Sequence, residues 1–293
     1  MPARVRTVAV ASGKGGTGKT LVATGLAAEL ARRGLAVTLA DCDVEAPNDH
    51  LFFSAELRAA TVDVPLAETD AAACTLCGAC RDACAYGAVR LLGGVAVVFP
   101  ELCHGCGACV TACPTGAMGE RPRRVGEVGR GVIAVGPGRI HLVAGTLDIG
   151  EVKAPDVIRA TRRHADAVGG DIVVIDAPPG TSCSAVAATR GADLLVLVTE
   201  PTAFGVHDLA LAAELGRALG IPLVVVENRA GSGPVDVSAW CLAEKVPLVA
   251  SIPFDRAVAE AYAQGRLPGD EVRVLADALA ILADHVLGEA ALA

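Results

Sequence analysis

The sequence predicts an α/β fold, a mostly parallel sheet flanked by helices, with a small α+β module inserted in its first third. Three observations carry this. Strand-like apolar runs alternate with helical segments from the N-terminus onward. Eight of the eleven cysteines fall between Cys74 and Cys113. Hydrophobic residues reach 53% with aromatics at only 3%, so the apolar content is mostly Ala, Val and Leu, which suits a buried parallel sheet under Ala/Leu-rich helices.

Taken in order, Arg4–Ala11 (RVRTVAVA) reads as a buried strand that runs into a Gly-rich turn, and Lys19–Arg33 as the helix after it. Gly34 stops that helix, and LAVTLADCD (Leu35–Asp43) reads as a second strand. Such a βαβ unit implies a parallel sheet. The α/β pattern fades near Val62–Glu68 and returns after Glu120–Gly131, an Arg/Gly-rich stretch that reads as a return linker. Later strands are expected at Asp171–Asp176, Leu194–Thr199, Leu223–Glu227 and Leu248–Ser251, with helices between them and a final helix over Asp270–Leu287. The expected division is 1–65 and 121–293 for the α/β domain, with 66–120 as the insertion.

Composition narrows the function classes. No run of about eighteen apolar residues occurs, so no membrane span is expected. The net charge of -8 argues against general nucleic-acid binding. The N-terminus leads straight into a motif without room for a signal peptide, so the expected location is the cytoplasm. Clustered cysteines in such a chain point to metal rather than to a disulfide framework.

The motif is GKGGTGKT at Gly13–Thr20, a complete G-x-x-x-x-G-K-[ST] between strand and helix, as a P-loop NTPase requires. Around Gly13, Lys14, Gly15, Gly16, Thr17 and Gly18 the backbone can curl its N–H groups round phosphate oxygens, with the positive end of the helix behind them. Lys19 supplies a point charge for the β/γ-phosphates and Thr20 a hydroxyl for Mg²⁺. Asp176 ends the run IVVI before APPG, where a carboxylate would hold Mg²⁺ through water. Asp41 and Asp43 sit at the tip of the second strand, as switch-loop carboxylates would; an Asp ending a strand is also an ordinary turn residue.

The cysteines form the one clear internal repeat. Adding 29 to Cys74, Cys77, Cys80 and Cys84 gives Cys103, Cys106, Cys109 and Cys113, and Gly87-Ala88 is matched by Gly116-Ala117. Each run is C-x2-C-x2-C-x3-C, the spacing at which three thiolates wrap one cubane while the fourth reaches the other. One [4Fe–4S] cluster is therefore assigned to Cys74, Cys77, Cys80 and Cys113, and a second to Cys84, Cys103, Cys106 and Cys109. Zinc is the competing reading of paired CxxC motifs. Cys113 precedes Pro114 as the bacterial ferredoxin pattern expects, whereas Cys84 precedes Ala85. His104 reads as an exposed or supporting residue, Cys183 as a small partly buried thiol, and Cys42 and Cys241 as packing residues.

GKGGTGKT with Lys14 as a second lysine, DCDVEAPN (Asp41–Asn48), DAPPGTSC (Asp176–Cys183), TEPTAFGVHDL (Thr199–Leu209) and IPFD (Ile252–Asp255) together resemble the MinD/ParA/nitrogenase-iron-protein class of P-loop ATPases. With the cysteine insertion they resemble MinD-type ATPases carrying an inserted ferredoxin domain. The resemblance implies slow, Mg²⁺-dependent ATP hydrolysis and an ATP-bound homodimer in which Lys14 reaches the partner's phosphates. It also implies that Asp43 positions water and that Asn228 reads adenine. Without it, Lys14 is a solvated loop lysine and Asn228 a turn asparagine.

Three functions compete at this stage. The first is a nucleotide switch coupled to electron transfer through two [4Fe–4S] clusters, with an unknown redox partner. The second is a carrier or maturation ATPase delivering iron–sulfur or metal cofactors to an apo-protein client. The third is a MinD-like spatial regulator; direct membrane binding is not expected, because the C-terminal segment is acidic (Asp270, Glu271, Asp277, Asp284, Glu289) rather than basic.

Overall fold

The computed structural model describes residues 6–267, 269 and 271–290. The chain runs through β1 (Arg6–Ala11), α1 (Lys19–Arg32), β2 (Ala36–Asp41), α2 (Asp49–Phe53) and a long β3 (Arg58–Thr69). A small subregion follows with α3 (Ala79–Asp82), β4 (Val89–Leu92), β5 (Val95–Val98) and α4 (Ala108–Ala112). The chain returns along β6 (Met118–Val135) and β7 (Gly138–Leu147). It then alternates α5 (Ala154–Val168), β8 (Ile172–Asp176), α6 (Cys183–Thr189), β9 (Leu194–Thr199), α7 (Ala203–Ala218), β10 (Leu223–Ala230), α8 (Val237–Glu244), β11 (Leu248–Pro253), α9 (Arg256–Ala263) and α10 (Arg273–Ala290). The parts of the first strand at Arg4 and of the last helix at Asp270 expected from sequence lie outside the described residues.

One nine-stranded sheet dominates, ordered β11-β10-β9-β1-β8-β2-β7-β6-β3. The run from β11 to β7 is parallel, while β6 is antiparallel to both β7 and β3. Both faces of the parallel part are covered, because successive side chains of a strand point to opposite faces. Val8 and Val10 face α1 and α10, whose Leu26, Leu30, Leu275 and Leu279 are buried with them. Ala9 and Ala11 face the other core, with Val157 and Ile158 of α5 and Leu209 of α7. The carboxyl ends of β1, β2 and β8 come together at one edge of this double-covered sheet, where open α/β folds place their ligands.

The expected linker at Glu120–Gly131 is corrected: it is part of β6, paired with β3 along one edge and β7 along the other. Val62–Glu68, where the pattern faded, lies within β3. Arginines and glycines suggested a linker, yet Val125 and Val128 of β6 are fully buried while Arg123 and Arg124 turn to Glu151 and Asp148. Glycine is needed at 126, where a Cβ would lie 2.3 Å from the Thr146 carbonyl oxygen. The expected boundaries at 65/66 and 120/121 thus fall inside two strands that run without a break from the sheet into the cysteine-rich subregion.

That subregion has a core of its own, in which Leu66, Ala88, Val89, Ala96 and Met118 pack with Cys80, Cys103 and Cys109. Its two halves repeat in backbone as well as in sequence. Gly78 and Gly107 precede α3 and α4 in the left-handed region, with φ of 85° and 70°, which admits glycine without strain.

Candidate functional site

Gly13–Thr20 leads from β1 into α1, and its residues Gly15, Gly16, Gly18, Lys19 and Thr20 form one wall of a cavity of about 400 Å³. Gly15, Gly16, Gly18, Lys19, Thr20, Asp43 and Asn228 line it, and Phe254, Val258 and Tyr262 close the side away from the loop. Lys19 is only 6% exposed. Gly18 has φ +98°, and a Cβ there would meet the Asn228 amide nitrogen at 2.2 Å, so the loop needs glycine twice over. Asn228 donates from Nδ2 to the Thr17 carbonyl at 2.8 Å and accepts the Arg229 N–H on Oδ1. It thereby ties the end of β10 to the loop.

The acidic residues come from neighbouring strand ends. Thr20 donates its hydroxyl to Asp176 Oδ2 at 2.6 Å, while Asp176 Oδ1 is buried without a hydrogen-bond partner among the described residues. Burial pushes Asp176 up to about 7, against the lowering effects of Thr20 and Lys19. Asp43 is half-buried and raised by burial, with Lys19 opposing. Asp41 does something different: its Oδ1 accepts the Asp43 N–H and its Oδ2 the N–H groups of Asn48 and Asp49, so it braces the loop that carries Asp43. Asp49 was not singled out from sequence. It is fully buried, neither carboxyl oxygen has a hydrogen-bond partner among the described residues, and it lies with Asp41 and Asp176 in one group whose ligand atoms are within 4.8 Å of one another. Hard oxygen donors beside a phosphate loop suit Mg²⁺.

Lys14 does not line the cavity; its ammonium donates to Glu200 Oε1, whose other oxygen accepts from Arg229 Nη1 at 3.0 Å. Burial raises the Glu200 carboxyl, but Lys14 and Arg229 outweigh it and hold it below the usual range. Glu200 lies within the TEPT motif, so its position was legible and its role was not.

The eight clustered cysteines separate into two sets. One small cavity is lined by Cys74, Cys77, Cys80 and Cys113, the other by Cys84, Cys103, Cys106 and Cys109. Each set draws three thiols from one run and the fourth from the other, and none is in a disulfide. Backbone N–H groups aim at the fourth thiols: Ala88 donates to Cys84 Sγ at 3.2 Å. The Thr115 hydroxyl and nearby backbone amides hold Cys113 down at about 7. Four thiols per cavity with N–H donors on sulfur make a soft ligand set of the kind that both iron–sulfur clusters and Zn²⁺ take. His104 is exposed and stacks on Tyr86 with ring centroids 3.8 Å apart.

Of the remaining thiols, Cys42 and Cys241 are buried in the core, and Cys183 is exposed at the start of α6. Cys183 opens onto a groove with Arg159, Arg162, Arg163 and Arg190. Among the described residues no helix is long and apolar enough to cross a membrane.

The model of the CobQ/CobB/MinD/ParA nucleotide binding domain matches residues 8–268. An uncharacterized protein of Methanocaldococcus jannaschii is 32% identical over 252 residues, 85% of this chain and 84% of that protein. A second uncharacterized protein of the same organism is 28% identical over 265 residues, 88% and 89% of the two chains. Among solved structures, the septum site-determining protein MinD of Pyrococcus horikoshii, complexed with Mg-ADP, is similar with a TM-score of 0.61 and 20% identity, covering 97% of this chain and 96% of that one. At that identity the likeness is one of fold.

Proposed function

The chain belongs to the CobQ/CobB/MinD/ParA nucleotide-binding family, and from that premise we propose that it is a Mg²⁺-ATP-dependent switch that dimerises on ATP and carries two [4Fe–4S] clusters. The observation that carries the first half is the cavity at the β1–α1 loop, with Lys19 beneath it and the Thr20–Asp176 hydrogen bond at its edge. In this reading the loop amides and Lys19 bind the phosphates, Thr20 ligates Mg²⁺, and Asp176 holds it through water. Asp43, placed by the Asp41 brace, orients the attacking water, and Asn228 reads the adenine. Lys14 leaves Glu200 and stabilises charge on the partner's phosphates. Little covalent work is asked of the protein, so hydrolysis resets a conformation rather than processing a metabolite.

In the second half, residues 66–120 act as a ferredoxin-like insertion. Cys74, Cys77, Cys80 and Cys113 hold one cluster, and Cys84, Cys103, Cys106 and Cys109 the other, supported by the two four-thiol cavities. When bound, two such clusters supply one-electron storage and relay. The output we favour from the thiol geometry is electron transfer gated by the nucleotide. The names of the solved relatives speak instead for a MinD-like positional switch, which is the second reading. Delivery of a cluster to an apo-protein has less support, because each site is closed by four thiols.

The test uses anaerobic protein. Iron at the content of two [4Fe–4S] clusters per chain, ATP hydrolysis dependent on Mg²⁺, and an ATP-dependent rate of oxidation of the reduced clusters by a chosen acceptor are expected. Equal oxidation rates with ATP, ADP and no nucleotide would remove electron transfer and leave the positional switch. Loss of the iron to an added apo-protein would favour carriage.

A further inference from the structure

A lysine stands where neither the phosphate site nor the cysteine spacing calls for one. Lys153 is 6% exposed, and its ammonium donates to the carbonyl of Cys103 at 2.6 Å. It makes no ion pair among the described residues: Glu151, the acid nearest in sequence, gives one oxygen to Arg123, which also donates to the Pro100 carbonyl, and its other oxygen is buried with no hydrogen-bond partner among the described residues. Lys153 occupies the cap position at the N-terminal end of α5. There the helix dipole repels a cation, so the position itself gives no reason for the charge. Burying an ammonium against one neutral carbonyl is costly unless an anion balances it.

The anion that the surroundings offer is the second cysteine set, to which Cys103 belongs. Four thiolates and the cluster they hold carry net negative charge, and net charge is one of the quantities that set a cluster's potential. The two sets differ here. The arginine beside the first, Arg81 next to Gly78, is half-exposed and already paired with Asp82. At the second, Glu120 also lines the cavity but is exposed, so solvent screens it, whereas Lys153 is buried.

We propose that Lys153 is the resident counter-charge of the site formed by Cys84, Cys103, Cys106 and Cys109, giving that site the higher reduction potential of the two. This rests on the cluster reading above. The buried cation favours the reduced, more negative state at this site, so an electron shared between the sites resides here. That is also the site tied to the α/β part, since Lys153 leads directly into α5.

The test is an EPR-monitored redox titration of the full chain, reconstituted anaerobically, with iron counted on every protein. Wild type is expected to show two midpoints. Lys153→Gln, which keeps an N–H donor for the Cys103 carbonyl but not the charge, lowers the higher midpoint by about tenfold in the reduction equilibrium, ~59 mV for a one-electron couple, and leaves the lower unmoved. Lys153→Arg keeps both midpoints near wild type. Loss of one cluster's iron in Lys153→Gln with retention in Lys153→Arg supports the same charge requirement. Unchanged midpoints in Lys153→Gln with full iron, or iron loss in both variants, makes Lys153 a packing residue and overturns the proposal. Wild-type protein that takes up no iron overturns the cluster reading and this inference with it.

Discussion

The two candidate sites stand on different foundations. The phosphate loop hangs from β1 and is backed by two apolar cores, so its floor is placed by side chains such as Val8, Val10 and Leu26 that never touch a ligand. In the cysteine-rich subregion the thiols are themselves part of the core: Cys80, Cys103 and Cys109 are buried among Leu66, Ala88, Val89, Ala96 and Met118. A site of the first kind exists before its ligand arrives. On the reading proposed above, a site of the second kind depends for its order on what its thiols bind.

Iron removal tests that contrast with the largest effect. Stripping the metal anaerobically with a chelator should open residues 70–117 to proteolysis and to fast amide exchange. The strands β1, β8 and β2, whose ladders are fully buried, should keep their protection. Equal protection of both regions in the stripped protein would erase the distinction. The converse change is Lys19→Ala. Lys19 is buried against the loop it serves, and its loss should lower ATP hydrolysis by about 10²-fold or more while iron content stays at the wild-type value. A parallel fall in iron would mean that the two sites are one cooperative unit.

The same contrast explains what the sequence discloses. Both groups of residues were legible where chemistry imposes a spacing: the loop from its glycines and lysine, the two thiol sets from the C-x2-C-x2-C-x3-C runs. The strand pair that joins them was not, because β6, which lies between β7 and β3, carries charged and glycine residues along much of its length. Of its apolar side chains only Met118, Val125 and Val128 are buried. Asp49, Glu200 and Lys153 were hidden for another reason. Each is one residue whose role exists only through a partner more than forty positions away or buried out of sight, and no local period marks it. Asp41 shows the limit from the other direction: its placement at a strand end was clear, but its work as a brace for three backbone N–H groups follows only from the loop's path.

A smaller perturbation asks how tightly the phosphate site depends on its own geometry. Gly18→Ala puts a methyl 2.2 Å from the Asn228 amide at a φ of +98°, so the amide must move and the Asn228–Thr17 hydrogen bond break. Left-handed backbone in a non-glycine residue costs about 1–2 kcal/mol. Nucleotide affinity measured by equilibrium titration should fall about tenfold, with no change in the midpoints of the clusters. Midpoints that moved with this substitution would show the two regions sharing strain.

The mildest test concerns Lys14, whose ammonium the single chain turns away from the cavity to Glu200. Its partner Glu200 is held below the usual carboxylate range, so the contact is complete above that range and is lost only as pH falls through the depressed value. At neutral pH it is therefore fully formed, and Lys14 must leave it to reach a partner's phosphate. Glu200→Gln removes that competition. Partly exposed pairs are worth about 0.2–1 kcal/mol, so the ATP-dependent dimer measured by sedimentation should form at a concentration lower by about 1.4- to 5-fold. Lys14→Ala in the same background should abolish the gain, because no cation is left to release. If Glu200→Gln weakens the dimer instead, Glu200 belongs to the interface and positions Arg229 there. The lysine's contact in the single chain would then be part of the assembled site rather than a hold upon it.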